Sequence, residues 1–176
     1  NGVDIRSKAS ITDSHTTTRN NGDLLIEAYE LSRIDSLVEA ASVSVAVSSG
    51  ATMAFSIGIA VAENAIGSGN NGHGQTRAFV SGGTLDLNGN LELKASIDAA
   101  VDAKVSVSSV GVAASSQGAT SLSGAGLSAT NVIRNDVEAF LDTVTVTVLG
   151  NRGVTITSDD QSRVFSDVEA TSVSGS

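Results

Sequence analysis

The residues able to do chemistry are few and scattered. His15 and His73 each stand alone in a polar Gly/Thr/Asn-rich stretch, and a histidine without a partner reads as a solvated loop residue rather than a catalyst. Serine is plentiful, yet there is no G-x-S-x-G and no partner set for a triad. The segment "GSGNNGHG" (67–74) is glycine-rich but lacks the lysine and spacing of a phosphate-binding loop, so it reads as a long surface loop. Calcium is the one ion worth weighing: Asp159-Asp160 and the alternating Asp167/Glu169 offer oxygen ligands, although the G-G-x-G-x-D nonapeptide of calcium-binding β-rolls is absent. Arg33/Glu39 and Arg163/Glu169 recur as pairs six residues apart, a spacing that suits a structural ion pair or a solvated edge. No catalytic, cofactor-binding or metal residue is therefore assigned.

Stepping outward from those side chains, the composition describes a scaffold. The 176 residues include no Cys, Pro or Trp, one Tyr and four Phe. A core must then come from Val, Ile, Leu and Ala, which suits thin regular layers better than a thick globular interior. Without disulfides or thiolate metal sites, stability must come from backbone pairing. A net charge of −9 argues against nucleic acid and anionic membrane surfaces as partners, and fits a secreted protein. A start at Asn1 rather than Met reads as a processed product or a fragment. Residues 40–62 carry no charge and are long enough to span a bilayer. Their serines and the alternation of Val43, Val45 and Val47 point instead to a strand.

The chain repeats itself. "SRIDSLVEAASVS" (32–44) and "SRVFSDVEATSVS" (162–174) share nine of thirteen residues. Placing Gly22 on Gly89 aligns 22–66 with 89–133 without a gap at an offset of 67, with 15 identities in 45 positions. A third copy opens near Gly153 at an offset of 63, and a six-residue Gly/Asn loop is present in the first copy only. The predicted organisation is the C-terminal part of a unit (1–21), two whole units (22–88 and 89–151) and the N-terminal part of a third (152–176). The last would be completed by a neighbouring chain or by its own continuation.

Each unit opens with a turn and an alternating strand: "NGDLLIEA", "NGNLELKA", "RGVTITS". Between Leu85/Leu87 and Leu91/Leu93, a three-residue arc keeps one face apolar where a two-residue hairpin would not. A helix over 24–41 is the competing reading, but the matching segments keep strict alternation. Dividing 67 residues into three coils of roughly 22 gives a β-solenoid, with an antiparallel sandwich or meander as the alternative. Asn64 and Asn131 occupy matching positions, where stacked amides could form a ladder or turns could need left-handed residues. In "AFSIGIAVA" (54–62), large residues occupy one face and small ones the other, which suggests lateral packing against another sheet or molecule, with a central strand within one unit as the alternative.

The phrases "NGNLELKA", "ASVSVAVSSG", "GAGLSATNVIRNDVEAFL" and "GVTITS" resemble the repeat units of giant secreted bacterial adhesins of the filamentous-haemagglutinin-like kind. The resemblance implies a β-solenoid shaft, location outside the cell or on its surface, and a role in adhesion or an extracellular filament. It offers no catalytic residues. Expected partners are copies of the chain, head-to-tail or laterally, and cell-surface glycans. The alternative is a carbohydrate-binding or carbohydrate-active β-helix, for which the uncharged run 105–133 leaves little room.

Overall fold

A computed structural model describes residues 1–67 and 72–176; residues 68–71, inside the predicted "GSGNNGHG" loop, lie outside the described set. Among the described residues the strands are β1 (Gly2–Val3), β2 (Arg6–Thr17), β3 (Leu24–Ser48), β4 (Thr52–Ile66), β5 (Gly74–Leu87), β6 (Leu91–Ser115), β7 (Ala119–Ile133), β8 (Asn135–Asp142), β9 (Thr145–Val148), β10 (Val154–Asp160) and β11 (Arg163–Gly175). The 24–41 segment is strand, as its alternation predicts.

The strands form three sheets. Sheet I is β1-β4-β7, sheet II is β2-β5 with β8 and β9, and sheet III is β3-β6 with β10 and β11. The chain visits them in the cyclic order I, II, III, and every pairing among the described residues is parallel. That excludes the antiparallel sandwich and is compatible with a β-helix-like fold. The two offsets found in the sequence are register offsets: Leu24 lies beside Leu91, and Val154 beside Leu91 from the other side.

One expectation is corrected. The chain returns to sheet III after 67 residues, so a unit makes one circuit rather than three coils of about 22. Nothing between Leu24 and Ser48 breaks the alternation, so β3 runs 25 residues, about 80 Å at the usual strand rise. Sheets I and II together make the return.

Three apolar clusters hold sheet III under the other two. Leu91, Leu93 and Ile26 pack against Val80, Leu85 and Leu87 of sheet II. Ile34, Ile97 and Val101 meet Ile5 and Ile66 where the sheets join. Val105 and Val107 pack against Ala60 and Ala62 of sheet I. Leu85, Leu87, Leu91 and Leu93 are all fully buried, so the arc at 88–90 does keep one face apolar, while β5 and β6 pair with other layers and not with each other.

Sheet II changes phase part-way. Asp13, Gly82 and Thr143 lie level in three successive layers and all have positive φ (47°, 71° and 51°). This aligned bulge switches the inward set from Ala78 and Val80 to Leu85 and Leu87. A Cβ at Gly82 would displace the Asp13 carboxylate and sit at a positive φ, both of which glycine avoids.

Candidate functional site

The residues singled out for chemistry are not brought together. His15 reaches Asp86 across the layers at 3.7 Å and Thr17 at 3.3 Å, and His73 stands 3.9 Å from Asp136. Both carboxylate neighbours come from the layer above, which sequence spacing did not reveal. Asp159 and Asp160 point to opposite faces of β10. Asp159 accepts a bond from Gln161 at 2.7 Å, and Asp160 accepts one from the Ser162 backbone at 2.9 Å. Asp167 is 3.8 Å from Lys104. Among the described residues, no three His, Asp or Glu side chains gather into a metal-sized cluster.

The expected Arg/Glu pairs are replaced by others. Arg33 binds Asp35 two residues on (2.6–2.8 Å) and approaches Asp102 in the next layer (3.8 Å). Arg163 binds Asp98 at 2.7 Å. Alternation explains the change, since side chains two apart, or level in adjacent strands, are neighbours, whereas six apart lies well beyond reach. The hydrogen bond from Arg33 holds the Asp35 carboxyl below its ordinary value.

What the layers do assemble is a set of columns. Asn1 donates to Asn64 (3.0 Å), Asn64 donates to Asn131 (2.8 Å), and Asn131 reaches Ser166 (3.3 Å). Asn64 is buried within β4 and Asn131 lies within β7, so the amide-ladder reading holds and the left-handed-turn reading does not. Serines link sheets I and III in a second set: Ser42 and Ser109 both bond Ser56, and Ser123 bonds Ser172. Glu27–Lys94 and Arg77–Glu138 pair across layers on the outside, and Phe79 stacks on Phe140 with centroids 4.9 Å apart.

Two surfaces stand out. The first is the outer face of β4, where Met53, Phe55, Ile57, Ile59 and Val61 are all more than half exposed. The small face of "AFSIGIAVA" is the inner one, packed on sheet III. Ala54, Ser56, Ala60 and Ala62 are buried beneath sheet III. The second surface is the pair of open ends. Among the described residues, β3 pairs with β6 alone on one side, and on the other β8 pairs with β5 alone and β10 and β11 with β6 alone. At that second end a hollow of about 460 Å³ is lined by His73, Arg134, Asn135, Asp160, Ser162 and Arg163. No family model, curated protein or solved structure matches this chain. Among the described residues, no helix is long and apolar enough to cross a membrane.

Proposed function

We propose that the chain is a structural and interaction protein: a segment or subunit of an extracellular bacterial fibre or adhesin, extended by stacking β layers as a solenoid. The observation that carries this reading is the columnar register. Leu24 lies on Leu91, Ser42 on Ser109, Ser56 on Ser123 and Asn64 on Asn131, so like side chains stack from layer to layer. An unpaired parallel edge of this length is a template for a further layer, whether from the same chain's continuation or from another molecule. The bonding columns stabilise the interior of a stack and offer no pre-formed substrate pocket.

Electron microscopy of native surface material carrying this chain tests the reading. Filaments or rods whose strands repeat every ~4.8 Å along the axis are the expected result. Discrete globular particles in that material would overturn it.

A further inference from the structure

The two ends differ in charge, and the difference is ordered. At the first end the outward residues entering β2 are Asp4, Arg6 and Lys8, spaced by two. At the second end the residues occupying the corresponding columns of sheet II and its corner are Arg134, Asp136 and Glu138. The column assignment follows the register: Val3 lies beside Ile66 and Ile66 beside Ile133, so Asp4, Gly67 and Arg134 are level. Arg6, Gln75 and Asp136 are level, as are Lys8, Arg77 and Glu138. The signs read minus, plus, plus at one end and plus, minus, minus at the other.

We propose that a second copy of this chain docks head-to-tail, its β2 and β3 edge adding to the β8 and β10–β11 edge. Arg134 then meets Asp4, Asp136 meets Arg6 and Glu138 meets Lys8 of the second copy. This rests on the stacking reading above and specifies its junction. Sheet III supports the same register. β3 of the second copy would lie on β11 with Ile34 over Val164, Val38 over Val168 and Ala40 over Ala170, while Ser32, Ser36 and Ser42 fall over Ser162, Ser166 and Ser172. The three apolar columns and the Ser42 column continue patterns already stacked inside the chain through Val101, Val105, Val107 and Ser109, whereas Ala99 and Ala103 hold the middle layer of the Ser32 and Ser36 columns. Sheet I adds little, because β1 is two residues long and covers only the end of its neighbour.

The same register places some like charges together. Arg33 falls over Arg163 and Glu39 over Glu169, both pairs exposed and screened, with Arg33 and Arg163 already paired with Asp35 and Asp98, just as Glu138 and Arg6 of the opposite-charge columns already have Arg77 and Asp4 as neighbours. More consequential is the inward column, where Glu30 of the second copy falls over Asp160. That contact opposes docking and supplies an independent test, because removing it must strengthen association.

The test uses the full chain in sedimentation velocity at about 50 mM and about 500 mM salt, conditions that differ severalfold in screening length. Wild type is expected to associate at low salt and to weaken about tenfold at high salt, the summed effect of three exposed opposite-charge pairs. Arg6→Glu/Lys8→Glu makes both ends negative, and Asp136→Lys/Glu138→Lys makes both positive. Each double variant alone loses association, and a 1:1 mixture restores it, which also shows that both are folded. Asp160→Ser associates more tightly than wild type. Variants that associate as wild type does, or a mixture no better than its components, overturn this junction while leaving stacking by another register open. Wild type that stays monomeric at every salt overturns docking of a second copy, while native filaments would still uphold the fibre reading.

Discussion

Gly58 provides a sharp test of which way β4 faces. Its position points into the body, and a Cβ built there lies 2.7 Å from Val107 Cγ1 and 3.2 Å from the Ser108 carbonyl oxygen. Ordinary carbon contacts are about 3.5–4.0 Å, so Gly58→Ala must push sheets I and III apart or move a buried valine. Such overpacking costs about 1–3 kcal/mol. The loss of unfolded-chain freedom returns about 0.4–1 kcal/mol, leaving a net destabilisation of about 1–2 kcal/mol. The neighbouring Ile57→Ser, at a side chain 71 % exposed, changes stability by only about 0.5 kcal/mol or less. Urea unfolding followed by circular dichroism measures both. Val107→Ala combined with Gly58→Ala then completes a double-mutant cycle, with a favourable coupling of about 1 kcal/mol expected as the methyls are relieved. If Ile57→Ser costs more than Gly58→Ala, or the cycle shows no coupling, β4 does not present its small face inward and the packing argument fails.

The remaining predictions concern polar groups. Asn64→Ala removes the centre of the amide column, and the lost bonds to Asn1 and to the half-buried Asn131 lower stability by about 1–2 kcal/mol in the same unfolding assay. Thr76 is fully buried and its hydroxyl has no partner, so Thr76→Val raises stability by about 1 kcal/mol. The carboxyl of Asp35, held low by the hydrogen bond from Arg33, titrates below an ordinary aspartate in a carboxyl-carbon NMR titration, and Arg33→Ala returns it toward that value. Because the folded value is the lower one, this pair contributes stability above the unfolded pKa of about 3.9. The contribution is lost as pH falls through the folded value.

The offsets of 67 and 63, the strand alternation and the Asn64/Asn131 column were legible in the sequence, because each layer repeats what its neighbour must match. The size of the circuit was not. Self-similarity shows that Leu24 corresponds to Leu91, but parallel pairing leaves no turn signature to say how often the chain has come round in between. The facing of β4 was hidden for a different reason. Hydrophobicity alone would place Ile57 and Ile59 inside, whereas the space left by Val105 and Val107 admits only Ala, Ser and Gly. Nor could the phase change at Gly82 be read from apolar alternation, since Thr143, its counterpart in the next layer, carries no glycine signal. The charge triplets at Asp4–Lys8 and Arg134–Glu138 become a pattern only once the columns are known.

The corners between sheets carry a consequence for how such a chain can change over generations. The step between layers is 63 residues from β1 to β4, 67 from β4 to β7, 61 from β5 to β8 and 63 from β6 to β10, yet the inward columns on either side remain aligned. All of that variation is absorbed at the junctions, such as 134 or 149–153. Genetic gain or loss at a corner therefore leaves the interior unchanged, and a peptide tag spliced between Gly150 and Asn151 should be carried without loss of fold. Deletion of one residue at Val105 would instead turn the rest of its strand inside out. A parallel-stranded fold built this way can diversify along its corners while its inward columns stay the same.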